Sequence, residues 1–304
     1  MAFCLFLIGL IAGIRLVQQG LFFSIEESPK KIIDLSETFP ESNIAIKEIS
    51  VAPIADVLTV PSDTITAKAY LVGDVKTGII YLERNSISPL PVASMSKLIT
   101  AIVATDIFSP TTTVSITKLN MDVASDTSRI MLGETFTMHE LLYPMLLNSS
   151  NVASEAIASS SNRSDFLALM SSYSWEVGAS TAFFADPSGL DSRNTASARD
   201  LFALAKYLYV NRPDILELTR TASTSVATTT EHGAHTFVSI HPFVTDSRFI
   251  GGKTGRTTQA GDTMMTILRL DDTHDIVCVV LGSMYNQRAR ETTILFDRVK
   301  KLLK

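Results

Sequence analysis

Pro91-Val92-Ala93-Ser94-Met95-Ser96-Lys97-Leu98-Ile99-Thr100-Ala101 is the stretch on which the rest of the chain turns. Met95, Leu98, Ile99, Ile102 and Val103 recur at helical spacing behind Pro91, which predicts a helix over 94–107. Ser94 and Lys97 stand three residues apart in it and share a face. A serine hydroxyl is a poor nucleophile at neutral pH unless a base adjoins it. A lysine amine is a base only when neutral, a state favoured by burial or nearby positive charge. Ser-x-x-Lys is common by itself, so its weight depends on what surrounds it.

Upstream, 67–72 and 78–82 read as strands joined by a turn at Gly73-Asp74-Val75-Lys76-Thr77, a hairpin. Downstream, helices fit 138–147, with His139 and Glu140 in the first turn, then 152–159, 163–174 and 198–210. After Arg220 the text turns rich in Thr and Ser, and strand-like pieces follow at 236–240, 263–270 and 276–281. The last two read as a hairpin around Asp271-Asp272-Thr273-His274. The closing segment 286–304 places Ile294, Leu295, Val299, Leu302 and Leu303 on one helical face. Strands, a helical middle, then strands and a helix predict one α+β domain over 65–304. Its antiparallel sheet joins distant parts of the chain and is flanked by helices, with an all-helical subregion.

Two later motifs could join the serine. Ser149-Ser150-Asn151 follows the 138–147 helix and reads as a loop offering a hydroxyl for proton relay and a carboxamide for a peptide backbone. Taken alone it reads equally as a helix cap. Gly251-Gly252-Lys253-Thr254-Gly255 comes just before the strand at 263–270. Its lysine and threonine suit a carboxylate, and its glycines permit close backbone approach. A second copy, Lys76-Thr77-Gly78, lies in the predicted first hairpin turn, ahead of the serine, and is assigned no role in chemistry.

The ordered set is Ser-x-x-Lys, then Ser-x-Asn 55 residues after Ser94, then Lys-Thr-Gly 102 residues after Asn151. It resembles the penicillin-recognising serine enzymes of the β-lactamase/transpeptidase-like fold. The intervening text is similar to one branch, the low-molecular-mass penicillin-binding proteins of the D-alanyl-D-alanine carboxypeptidase family. The matching stretches are the 91–101 segment, Gly133-Glu134 ahead of Leu141-Leu142-Tyr143, Asp186-Pro187-Ser188-Gly189-Leu190-Asp191, and Lys253-Thr254-Gly255-Arg256-Thr257 followed by Ala260-Gly261.

The resemblance implies a role for each matching position. Ser94 would form an acyl-enzyme with Lys97 as its base, and Ser149 would pass a proton to departing D-alanine. Asn151 would orient the peptide, while Lys253, Thr254 and Gly255 would receive the terminal carboxylate. Backbone N–H groups of Ser94 and Arg256 would hold the oxyanion. Peptidoglycan stem peptides are the implied substrates, β-lactams the implied covalent inhibitors, and no cofactor or metal is implied. Arg256 departs from the side chain often found after Lys-Thr-Gly, which bears on substrate choice.

Composition agrees with an enzyme of this size. Hydrophobic residues make up 46% and charged residues 19% of 304, enough for a large core. A net charge of −5 gives no electrostatic footprint for nucleic acid. Cys4 and Cys278 are too few and too ill-placed for a disulfide scaffold or a zinc site.

Residues 2–14 are apolar without interruption and the run extends to Phe23 past Arg15, which suits a membrane anchor or signal segment over 1–23. We take the uncleaved anchor as the expectation, although no basic residue precedes the run and Arg15, Lys30 and Lys31 follow it. A buried N-terminal helix is the bland alternative. Residues 24–64, with Pro29, Pro40, Pro53 and Pro61, read as an extended linker, with a short strand at 44–49. The expected location is the extracytoplasmic face of a bacterial cell membrane.

Rival readings are weaker. A class A β-lactamase needs a glutamate for its deacylating water, and the stretch 184–191 offers no Glu-x-x-x-Asn. D,D-endopeptidase action on crosslinks would use the same residues, and an inert wall-binding homologue would not need all of them. His232, His235 and His241 lack a carboxylate at regular spacing and are expected on a loop or strand surface. His139 and His274 have no serine-triad context.

Overall fold

The computed structural model describes residues 65–304; the expected anchor, linker and 44–49 strand lie outside the described residues. Chain order begins with β1 (Ala69–Asp74), β2 (Ile80–Arg84), β3 (Leu90–Pro91), a 3₁₀ turn (Ala93–Met95), α1 (Ser96–Ile107), β4 (Thr113–Ser115), α2 (Lys118–Met121) and β5 (Thr135–Thr137). The helical middle is α3 (Met138–Leu146), α4 (Asn151–Ser159) and α5 (Arg163–Glu176), then β6 (Thr195–Ala196), α6 (Ala198–Asn211) and α7 (Pro213–Arg220). The chain closes with β7 (Ser223–Val226), β8 (His235–Val238), β9 (Phe249–Thr257), β10 (Gly261–Arg269), β11 (Asp275–Ser283) and α8 (Arg288–Leu302).

β2-β1-β11-β10-β9 form one antiparallel sheet in that order, so the first strands pair with the last and β9 is an edge. Its pleat sorts side chains between two cores. Val277, Val279 and Leu281 join Leu71, Met265, Ile267 and the helical middle on one face. Ile276, Cys278 and Val280 join Val72, Met264 and Leu268 beneath α8 on the other. Because both faces are covered, the central strand is continuously apolar rather than alternating, and Cys278 is buried as a free thiol. Leu295, Phe296 and Val299 of α8 fill the second core, each worth roughly 1.5–3 kcal/mol of burial. The expected face overreaches at one position: Leu302 is exposed, while Leu303 packs against the second core.

α1 is the axis of the helical side. Every residue from Ser96 to Ala104 is buried, so it is enclosed all round rather than amphipathic. Local chemistry starts its neighbours. Thr137 and Glu140 form a capping box at α3, and Ser197 and Asp200 form one at α6. α7 is absent from the sequence-based helices, and it opens on Pro213. The proline occupies the first turn of this helix, where its missing N–H costs nothing.

The histidine expectation is overturned: His232, His235 and His241 are all buried. Tertiary packing covers them. His232 stacks on Phe136 with centroids 4.5 Å apart, and His241 stacks on Phe249 at 4.5 Å. His235 Nε2 lies 2.8 Å from the Glu134 carboxylate, a pairing that pins the β7–β8 hairpin. Burial draws the His241 imidazole down to about 3. Among the described residues no cluster of His, Cys, Asp or Glu could hold a metal, and no helix is long and apolar enough to cross a membrane.

Candidate active site

The predicted 94–107 helix is divided. Ala93–Met95 is a 3₁₀ turn and α1 proper begins at Ser96, because Ala93 takes a left-handed φ of +51°. Ser94 therefore sits on a sharp turn at the mouth of a buried helix, with Lys97 in that helix's first turn. Lys97 Nζ is 3.0 Å from Ser94 Oγ, 2.7 Å from Asn151 Oδ1 and 2.6 Å from the Ser188 carbonyl. The side chain is fully buried, and that burial pulls its pKa from 10.5 to about 7; the charges of Asp186, Asp126 and Glu155 oppose the fall. Asn151 and the Ser188 carbonyl can each accept an amine N–H. A neutral Lys97 then has its lone pair left for the Ser94 proton.

Ser149 and Asn151 come from the α3–α4 junction. Asn151 is the first residue of α4 rather than part of a loop, and Ser149 turns the chain with φ +64°. Between them Ser150 accepts from Ala153 N at 3.0 Å as a helix cap and donates to Asp126 Oδ2 at 2.7 Å. Asp126 also accepts from Val152 N, and from Ser128 N and Oγ. Burial works to raise its pKa, but the bonds from Ser128, Ser150 and Val152 prevail and hold it below the usual carboxylate value. Asn151 Nδ2 donates to the Ala124 carbonyl at 2.9 Å, which leaves its oxygen turned to Lys97.

Lys253, Thr254 and Gly255 precede β10 as expected and themselves lie within an edge strand, β9; Met265, Met264 and Thr263 of β10 pair with them. The glycines hid this strand, since their low β-propensity is overridden by pairing along β10. A Cβ on Gly255 would stand 2.8 Å from Ser94 N and 2.5 Å from Thr263 Oγ1, so only glycine lets the strand pass the serine this closely. Lys253 Nζ donates to Ser149 Oγ at 2.9 Å and to the Thr254 carbonyl at 2.9 Å. Burial, the charge of Lys97 and that of Arg288 all push its pKa well below 10.5. Arg256 is clamped onto Asp262, donates to Asn286 Oδ1 at 2.8 Å and stacks over Tyr285 at 4.3 Å.

These residues meet at a cleft of about 410 Å³ lined by Ser94, Ser149, Asn151, Thr254, Gly255 and Arg256. Lys97 and Lys253 lie beneath its wall, each almost wholly buried. Ser125, Thr127 and Arg288 also line it, and the sequence reading singles out none of these three. Arg288 also donates to the Gly255 carbonyl at 2.6 Å. No signal in a single sequence ties an arginine at the start of α8 to this strand. The other Lys-Thr-Gly is elsewhere: Lys76 Nζ is 3.1 Å from Asp275, beside the β10–β11 turn. A comparable hollow of about 470 Å³ holds His139, Tyr143 and Arg212 but no activated nucleophile.

Comparison with known proteins agrees in fold and family. The D-alanyl-D-alanine endopeptidase of Haemophilus influenzae is 32% identical over 164 residues, covering 53% of this chain and 56% of that protein. This chain spans about half the length of the curated endopeptidases it matches. A solved D-alanyl-D-alanine carboxypeptidase from Mycobacterium tuberculosis superimposes with TM-score 0.72 at 23% identity, covering 79% of this chain and 93% of that one. A penicillin-binding protein from Listeria monocytogenes, solved with cefotaxime bound, gives TM-score 0.68 at 25% identity, covering 78% and 98%. The D-alanyl-D-alanine carboxypeptidase family model matches residues 56–284, three quarters of the sequence, and the chain belongs to that family of serine peptidases.

Proposed function

We propose that this protein is a D-alanyl-D-alanine carboxypeptidase that removes the terminal D-alanine of peptidoglycan stem peptides through an acyl-enzyme on Ser94. The observation that carries the reading is the buried Lys97 amine 3.0 Å from Ser94 Oγ, at a cleft that also presents Ser149 and Thr254. Neutral Lys97 takes the Ser94 proton as Oγ attacks the carbonyl carbon of the penultimate D-alanine. The N–H groups of Ser94 and Arg256 receive the oxyanion. Ser149 Oγ accepts from Lys253, so its own proton is available for the amine that departs as the C–N bond breaks. Thr254 and Arg288 meet the terminal carboxylate from the cleft wall, with the Lys253 amine behind them. Water then cleaves the ester and restores the Ser94 hydroxyl.

Two features favour a peptidase over a lactamase. Among the described residues no carboxylate lines the cleft. Asp186 is consumed within its own turn, accepting from Ser188 N, Ser188 Oγ, Gly189 N and Asp191 N at 2.6–2.7 Å. D,D-endopeptidase action is the second reading, favoured by the name of the Haemophilus influenzae relative. The apolar 2–14 segment supports attachment to the cell membrane. Intact-protein mass spectrometry after penicillin treatment tests the chemistry. A single adduct mapping to Ser94 and absent from Ser94→Ala is expected, and an adduct on another residue sinks the reading. Hydrolysis of a soluble D-Ala-D-Ala pentapeptide against a crosslinked dimer separates the two activities.

A further inference from the structure

Asn194 never touches the cleft, yet it is among the best-satisfied polar side chains in the molecule. It is completely buried. Its Oδ1 accepts from Ala185 N at 2.7 Å and Asp186 N at 3.1 Å. Its Nδ2 donates to the Asp186 carbonyl at 2.8 Å and to Ser96 Oγ at 2.9 Å. Its main-chain carbonyl accepts from Val92 N at 3.0 Å. Both lone pairs and both protons of the amide are used, a degree of satisfaction that fixes a buried group in one orientation.

The bonds converge on the turn that presents the nucleophile. Ser96 Oγ, held by Asn194, donates in turn to the Ala93 carbonyl at 3.0 Å. Ala93 carries φ +51°, a conformation costly for a residue with a side chain, which persists only where its surroundings impose it. Three contacts impose it. The relay from Asn194 through Ser96 grips the Ala93 carbonyl, Asn194 holds Val92 N, and Thr263 Oγ1 donates to the Val92 carbonyl at 3.0 Å. Gly189 closes over the same peptide: a Cβ there would lie 1.9 Å from the Ala93 oxygen. Asn194 also braces the start of the 186–191 turn, which delivers the Ser188 carbonyl to Lys97 at 2.6 Å.

We propose that Asn194, acting through Ser96, is the positioning residue for the nucleophile. It locks the left-handed Ala93 turn that aims the Ser94 hydroxyl and N–H, and sets that turn in register with the loop that gives Lys97 an acceptor. Neither side chain contacts substrate. Their effect falls on the covalent step and leaves the carboxylate site on β9 untouched. The proposal rests on Ser94 being the nucleophile.

The test is a double-mutant cycle of Asn194→Ala and Ser96→Ala in the full chain, with a fluorescent penicillin. Non-covalent affinity and the rate of the covalent step are measured separately, per folded molecule counted by active-site titration. Each variant is expected to slow the covalent step about 10- to 100-fold, as small misplacements of reacting groups do, with affinity within about twofold of wild type. The double variant should be little slower than the slower single one, because both cut the same relay. Acylation at the wild-type rate, equal losses in affinity and rate, or multiplicative losses in the double variant would overturn the proposal. If Asn194→Ala does not fold, Ser96→Ala alone decides on the first two criteria. Failure of penicillin to label Ser94 in the wild type would instead remove the nucleophile assignment itself.

Discussion

Lys76-Thr77-Gly78 and Lys253-Thr254-Gly255 are the same tripeptide in two places, and the structure treats them oppositely. The first spans the turn between β1 and β2, where the Asp74 carboxylate accepts from Lys76 N and Thr77 N at 2.8 Å. The Lys76 side chain keeps 35% of its exposure and lies 3.1 Å from buried Asp275. The second copy lies in an edge strand, with its lysine 1% exposed and, among the described residues, no carboxylate at ion-pair distance. Its amine instead faces the Ser149 hydroxyl, and burial first, then the nearby Lys97 and Arg288 groups, depress its pKa. The difference teaches that the tripeptide is only a geometry-tolerant piece of backbone. A counter-ion makes one lysine structural, and burial without one leaves the other's N–H groups free to serve the site.

Removing the buried amine should produce the largest effect. Lys253→Ala deletes the donor to Ser149, and we expect kcat/KM for a D-Ala-D-Ala peptide to fall about 10²- to 10³-fold, the scale of losing one electrostatic donor at a reacting centre. Steady-state hydrolysis, with circular dichroism to confirm folding, measures it. A loss below about threefold would erase the contrast between the two copies.

The same logic of an amine without a counter-ion gives a pH dependence. Burial sets Lys97 at about 7, so below that pH it is an ammonium and cannot take the Ser94 proton. Acylation by penicillin should therefore rise with pH, about tenfold per unit below 7, and level off above it. Stopped-flow labelling between about pH 5 and pH 8 resolves the limb. A flat profile would mean that some group other than Lys97 deprotonates the serine.

How much of this was legible beforehand follows from range. Ser94 and Lys97 are three residues apart, and helical periodicity alone put them together. β11 was readable because its uninterrupted apolar run 276–281 suits a strand covered on both faces, and β10 because Met264, Met265, Ile267 and Leu268 are all apolar. β3, β4, β5 and β6 were not, since two- or three-residue strands leave no period to detect. Contacts between distant segments were equally opaque. Nothing near Asn151 announces that Ala124 holds its amide, or that the Ser188 carbonyl faces Lys97 across 91 residues. The buried histidines failed for this reason too, because their stacking partners Phe136 and Phe249 lie elsewhere in the chain or are only placed by the sheet. Lys253 does precede the β10 strand, but its own strand β9 was not legible, because glycines at 251, 252 and 255 argue against β structure until β10 supplies the pairing.

The smallest expected effect belongs to the other copy. In Lys76→Ala the Asp275 carboxylate would keep Arg269 Nε at 2.9 Å and the Tyr209 hydroxyl at 2.6 Å, so a buried charge is not stranded. Lys76 itself is about one third exposed, where solvent screening limits an ion pair to at most about 1 kcal/mol. For a domain of this size that is a fall in Tm of roughly 2–4 °C at the upper limit. Hydrolysis and penicillin labelling should stay at wild-type rates, since Lys76 lies beside the β10–β11 turn and lines no part of the cleft. A loss of acylation in Lys76→Ala matching that of Lys253→Ala would show that the two turns of sequence had been assigned the wrong way round, because no contact of Lys76 leads from Asp275 to Ser94.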